Sequence, residues 1–306
     1  MIGMGARMCC VRLFCVLLFL ILIGECVVAQ TISKKSIRVD NKNYAYFVLE
    51  PAIAMQGILL LLPGRGENPK DVFKRTDLPD FLKAKGYLTI VPELPYSLFA
   101  GASIRKHLLE ILKTQATTKG LSLSVGGFSA GGSVAISYAE YLLSLDSVTN
   151  LKSVFAIDPP LDLERLYSTA GYFMEYDCNM MRDEGLLMST YLDKAMGGPP
   201  KDNHETYVAL SPFLASEADG GNARRLKQIP IRLYAEPDLN LVKNRYCKEL
   251  REDDLNATDL EKLARILKTL GNTNCEYIVT QDRGYHSWNI ADGRELAAWI
   301  VRWGKR

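Results

Sequence analysis

An excess of charge of one sign is what this chain lacks. Lysine and arginine number 37 against 35 acidic residues, a formal net charge of +2. Removing the first 29 residues takes away Arg7, Arg12 and Glu25 and leaves about +1. Such a balance offers neither the basic footprint of a nucleic-acid binder nor attraction to an anionic surface. Histidine is scarce, with three in 306 residues, so only His107, His204 and His286 are available as general bases. Of seven cysteines, Cys9, Cys10, Cys15 and Cys26 crowd the N-terminus. The remaining Cys178, Cys247 and Cys275 show no metal-ligand spacing, and neither a metal nor a cofactor is expected. No internal repeat or low-complexity segment is present, and the length suits one large α/β core.

Long apolar runs are also few. Leu13 to Gly24 is the longest, about twelve residues behind the positive charges of Arg7 and Arg12, which is too short for a bilayer span. With Val27, Val28 and Ala29 as a small-residue cleavage site, residues 1–29 read as a signal peptide. An uncleaved anchor, or lipidation at Cys26 after the bulky Glu25, is the poorer reading. The mature protein is therefore expected to be exported, with no membrane span after cleavage. Among its cysteines, Cys247 and Cys275 flank one expected helix and form the pair to test as a disulfide.

Strand and helix signals alternate from there on. Ser36 to Val39 and Tyr44 to Leu49 read as an edge hairpin. GILLLL (Gly57 to Leu62) and Tyr87 to Val91 are continuous apolar runs, as strands covered on both faces should be. Val72 to Lys85 reads as two short helices split near Pro79, and Ile104 to Gln115 as an amphipathic helix. Ser153 to Ile157, Ile231 to Ala235 and Cys275 to Thr280 supply later strands. Helices are expected from Ala130 to Leu143, from Thr258 with a Thr258/Glu261 capping box, and at the C-terminus. Repeated β-helix-β units imply an α/β fold, a mostly parallel sheet with helices on both faces. Between Asp158 and Gln228 no strand signal occurs. That segment carries Tyr167, Tyr172, Phe173, Met174, Tyr176, Met180, Met181, Met188 and Tyr191.

The chain is organised around Ser122 to Ala135, SLSVGGFSAGGSVA. A strand meets Gly127, Phe128, Ser129, Ala130 and Gly131, filling GxSxG, and a small-residue helix start follows. In that pattern the glycines permit the close backbone approach that lifts a serine hydroxyl above the sheet. Here the sequence resembles the α/β-hydrolase superfamily, and the combined order of serine elbow, insertion, acid loop and late histidine extends the resemblance from about Ser36 to Trp303. The resemblance implies a core of residues 30–158 and 229–306 with a helical cap insertion at 159–228. It also implies a cofactor-free serine hydrolase working through an acyl-enzyme.

A serine hydroxyl needs an adjacent base, and the base an orienting acid. His286, after the last strand, is where the resembled family places its base. His107 and His204 read as ordinary helix and loop residues. For the acid, Asp238 beyond the strand ending at Ala235 is favoured, with Glu236 and Asp158 as alternatives. The oxyanion hole is expected from the amides of Ala130 and, in the Pro63, Gly64, Arg65, Gly66 loop, of Arg65. The Arg65 side chain is expected to be solvated or paired with Glu67. Exported location and an apolar, aromatic cap favour a carboxylesterase acting on a small-molecule ester. A peptidase or amidase is the alternative and would need an acidic amine site, for which Asp177, Asp183, Glu184 and Glu205 are on offer. A binding protein on the same scaffold is a third reading, against which an intact serine, histidine and acid set argues.

Overall fold

The computed structural model describes residues 32–115, 120–145 and 150–306. The expected signal segment, with Glu25 and Cys26, lies outside them. One eight-stranded sheet has the order β1-β2-β4-β3-β5-β6-β7-β8. Its strands are β1 (Ile32–Val39), β2 (Lys42–Leu49), β3 (Gly57–Leu62), β4 (Tyr87–Pro92), β5 (Ser122–Phe128), β6 (Leu151–Ile157), β7 (Ile231–Ala235) and β8 (Cys275–Val279). The β1/β2 hairpin and the β2/β4 pair are antiparallel, and every pairing from β4 through β8 is parallel. The hairpin lies at the sheet edge, as expected.

The continuous apolar strands are explained by two covered faces. In β3, Ile58, Leu60 and Leu62 join one core and Leu59 and Leu61 the other, the two-residue alternation of a pleated strand. The first core includes Ile104, Leu108 and Ile111 of α3 (Ala102–Gln115) and Val134 and Ile136 of α4 (Ala130–Leu143). The second includes Val72 of α1 (Pro69–Arg75), Leu78 and Leu82 of α2 (Leu78–Lys83), and Leu296 and Ile300 of the C-terminal helix Gly293–Gly304. Proline opens α1 and lies at the second position of α2, so Pro79 starts a helix rather than breaking one.

Between β6 and β7 the chain forms α5 (Leu163–Glu175), α6 (Asn179–Met196), α7 (Pro200–Leu210) and a short 3-10 helix, Gly221–Gln228. This is the helical insertion. After β7 come α8 (Leu239–Arg245) and α9 (Ala257–Thr269), and the C-terminal helix is α10. The expected capping box at α9 does not form. Its N-cap is Asn256, and the Thr258 hydroxyl donates to the Glu252 carbonyl at 3.1 Å, because the helix begins one residue before Thr258.

The expected Cys247–Cys275 bond is corrected as well. Cys247 is bonded to Cys178, 69 residues away, joining the start of α6 to the loop after α8. Cys275 is a buried free thiol in β8. Among the described residues no helix is long and apolar enough to cross a membrane.

Candidate active site

Strand β5 delivers Ser129 to the C-terminal edge of the sheet, and α4 leaves immediately after it. Ser129 has φ 52° and ψ −127°, a conformation that non-glycine residues rarely adopt. The packing around it leaves no alternative path. A Cβ on Gly127 would stand 2.5 Å from the Gly131 carbonyl oxygen, and one on Gly131 would stand 2.3 Å from the carbonyl oxygens of Leu62 and Pro63. The Ser129 amide donates to the Ile157 carbonyl at 2.8 Å, fixing the turn to the end of β6. GxSxG is thus a packing requirement where β3, β5 and α4 meet.

His286, beyond β8, faces Ser129, with Nε2 2.9 Å from Oγ. Its Nδ1 lies 2.5 Å from Asp158 Oδ2. An ionised carboxylate can only accept, so Nδ1–H donates to Asp158 and Nε2 is left to accept from the Ser129 hydroxyl. Phe128 packs against the imidazole, ring centroids 4.6 Å apart. Asp158 is the residue directly after β6. It is 6% exposed, and its backbone carbonyl accepts from Asn256 Nδ2 at 3.0 Å.

The favoured acid, Asp238, does not meet the histidine. It caps α8, accepting from the Leu241 amide at 2.8 Å. Aspartate directly before a helix satisfies orphan amides there, which accounts for its position. Glu236 is also turned away from the imidazole and grips the loop that carries His286. It accepts from Thr280 Oγ1 at 3.0 Å and from the amides of Arg283, Gly284 and Tyr285 at 2.7–3.1 Å. Desolvation works to raise its pKa, but these donors, Tyr285 and Arg283 first, outweigh it and hold the carboxyl below its ordinary value.

The other histidines are placed elsewhere. His107 is buried in α3 against Tyr44, ring centroids 4.2 Å apart. His204 is exposed on α7, with Nδ1 2.6 Å from Glu164.

The loop after β3 lines the same cavity as Ser129. Gly64 donates its amide to Glu67 at 2.8 Å, leaving Arg65 as the next amide of the turn. Ala130 opens α4, where no earlier helical turn supplies an acceptor, and both residues line one cavity with Ser129. The Arg65 guanidinium pairs with Glu184 of α6 at 2.8 Å, correcting the expected partner Glu67, and its centre lies 5.8 Å from the Tyr96 ring centroid. Glu67 accepts instead from Trp288 Nε1 at 3.0 Å, tying this loop to the chain just past His286.

The cavity measures about 610 Å³. Leu166, Phe173, Met181 and Met188 from α5 and α6 line it together with Leu250 and Leu255, as do two charged pairs, Arg65 with Glu184 and Arg75 with Glu67. Of the insertion's aromatic and methionine residues, Phe173, Met180, Met181 and Met188 line it; Met180, like Tyr172 and Met174, is exposed. The contacts of Asn256 with Asp158, Glu67 with Trp288 and Glu184 with Arg65 carry no signature in the sequence, since the partners are distant in the chain. Among the described residues, the grouping of three metal-ligand side chains is Cys178, Cys247 and Glu249, and its two sulfurs are bonded to each other.

No family model and no curated protein sequence matches the chain. Solved structures do match in fold. A carboxyl esterase from Tuber melanosporum aligns with a TM-score of 0.58 at 16% identity, over 91% of this chain and 89% of that one. A Pyrococcus furiosus esterase aligns at 0.56 and 13%, over 90% and 94%. The Pyrococcus horikoshii acylaminoacyl peptidase aligns at 0.56 and 15%, over 91% of this chain, which spans 41% of the peptidase.

Proposed function

On the premise that this chain has the α/β-hydrolase fold, we propose that it is a serine hydrolase cleaving small-molecule carboxylic esters through Ser129, His286 and Asp158. The observation that carries this reading is the continuous chain of contacts Ser129 Oγ, His286 Nε2, His286 Nδ1, Asp158 Oδ2.

The geometry supports a conventional acyl transfer. Ser129 Oγ attacks the ester carbonyl as Nε2 takes its proton, and Asp158 stabilises the imidazolium through Nδ1–H. Negative charge develops on the carbonyl oxygen, to which the amides of Ala130 and Arg65 donate, each worth roughly 3 kcal/mol in such sites. His286 then protonates the leaving alkoxide, and the acyl group stays on Ser129. Water, deprotonated by Nε2, attacks the acyl carbon, the acid leaves and Ser129 recovers its proton.

Residues 159–228 serve as a cap over the nucleophile, on a core of 30–158 and 229–306. The apolar residues lining the cavity favour an ester over a cationic peptide terminus. Of the acidic candidates for an amine site, Glu184 lines the cavity, and Arg65 already neutralises it. The protein is read as exported, with residues 1–29 as the signal. The Cys178–Cys247 disulfide supports an oxidising compartment.

A panel of aryl esters and matched aryl amides tests the substrate class. Hydrolysis of the esters with a burst of released phenol, amides being cleaved far more slowly, is the expected result. Cleavage of amides at comparable rates would favour the peptidase reading.

A further inference from the structure

Glu236 follows the last residue of β7, is 5% exposed, and spends its whole carboxylate on one loop. Oε1 accepts from the amides of Gly284 at 3.0 Å and Tyr285 at 2.7 Å; Oε2 accepts from the Thr280 hydroxyl and the Arg283 amide, both at 3.0 Å. Three successive amides converging on one anion form a concave backbone nest.

The loop needs such a partner. Asp282, Gly284 and Tyr285 have φ of 57°, 102° and 53°, and the left-handed region is strained for a non-glycine residue. Charge-assisted hydrogen bonds are the stronger kind and can offset that strain. Tyr285 directly precedes His286, so its left-handed turn sets the direction in which the chain presents the imidazole.

Resting on the proposed hydrolysis, we infer that Glu236 is a positioning residue: through the amides of Arg283, Gly284 and Tyr285 it fixes the loop that delivers His286 to both Ser129 and Asp158. It touches neither the nucleophile nor the base. Its charge matters as much as its shape, because a carboxylate has lone pairs for all four donors. A glutamine of the same size offers one carbonyl oxygen and turns an NH₂ toward donors.

The test measures fluorophosphonate labelling of Ser129 in wild type, Glu236→Gln and Thr280→Val, resolving the maximal rate kinact from the probe's KI, with near-ultraviolet circular dichroism to report the fold. A misplaced base costs up to about 100-fold in rate, so Glu236→Gln is expected to lower kinact by about 10- to 100-fold with KI within about twofold. Thr280→Val, which removes one of the four donors, is expected to lower kinact by about two- to fivefold, again at constant KI. Folded Glu236→Gln with wild-type kinact, or with the loss confined to KI, overturns the inference. Should Glu236→Gln not fold, an unchanged kinact in Thr280→Val overturns it. A folded wild type that takes no label overturns the hydrolase reading itself, a result distinct from a labelled wild type and an equally fast variant.

Discussion

Asp158 and His286, 128 residues apart in the chain, meet with Oδ2 2.5 Å from Nδ1, so the carboxylate behind the imidazole comes from the end of β6 and not from the loop after β7. Asp158→Asn is therefore expected to cut kcat by about 10³- to 10⁴-fold, the cost of the wrong imidazole tautomer. Asp238→Asn is expected to leave kcat near wild type, since asparagine is an equally good N-cap. Steady-state hydrolysis of an aryl ester by the two variants checks both, and the reverse ranking would return Asp238 to the triad.

The elbow glycines admit no side chain. A Cβ on Gly131 would lie 2.3 Å from the carbonyl oxygens of Leu62, the end of β3, and of Pro63 in the loop after it, which must move to accommodate it. Gly131→Ala is expected to displace the Arg65 loop and the Ser129 turn together, abolishing ester hydrolysis and lowering the thermal midpoint. Gly171→Ala, at a helical position where a Cβ meets nothing within 4 Å, is the control and is expected to retain both.

The Cys178–Cys247 bond closes 69 residues of chain between the helical insertion and the segment after β7. Loop-closure entropy for such a span is about 4 kcal/mol, so a Cys178→Ser, Cys247→Ser double variant is expected to melt well below wild type. Cys275 is buried, and burial raises its thiol to about 11. Iodoacetamide is expected to leave Cys275 unmodified in the folded protein and to modify it after denaturation without reductant, as read by peptide mass spectrometry.

His107 gives stability a defined pH dependence. Burial lowers its pKa from 6.5 to about 4, so the folded form resists a proton that the unfolded chain takes up. Stability is thus lost as pH falls from about 6.5 to about 4 and no further below that. Glu140, raised by burial above its ordinary value, acts with the opposite sign, favouring the fold below its unfolded pKa and losing that contribution as pH rises. Urea unfolding of wild type and His107→Leu across this range isolates the histidine: the difference in stability between them is expected to change between pH 6.5 and 4, whereas the Glu140 contribution cancels.

The fold was legible because its signals are local. GILLLL needs two covered faces, GxSxG needs the crossing of β3, β5 and α4, and both can be read within a dozen residues. That Ser129 and His286 meet could be anticipated for similar reasons, one by its motif and the other by scarcity of histidine and its place after the last strand. Which carboxylate meets the imidazole could not, because three carboxylates follow β6 and β7, from 48 to 128 residues before His286, and the chain order does not say which of them points beneath the ring. Asp238 did carry a local hint, an aspartate immediately before the helix Leu239–Arg245. Cys178 lay in the insertion with no pattern to mark its partner. Glu236 is an acid alternative in the sequence, and in the structure its carboxylate is taken up by the amides of Arg283, Gly284 and Tyr285.

Fluorophosphonate labelling of the purified protein, mapped by peptide mass spectrometry and repeated on Ser129→Ala and His286→Ala, tests the central claim most directly. The account predicts one labelled peptide carrying the adduct on Ser129, no label in Ser129→Ala, and labelling slowed by orders of magnitude in His286→Ala. A properly folded wild type that stays unlabelled, or a His286→Ala variant labelled as fast as wild type, would contradict it.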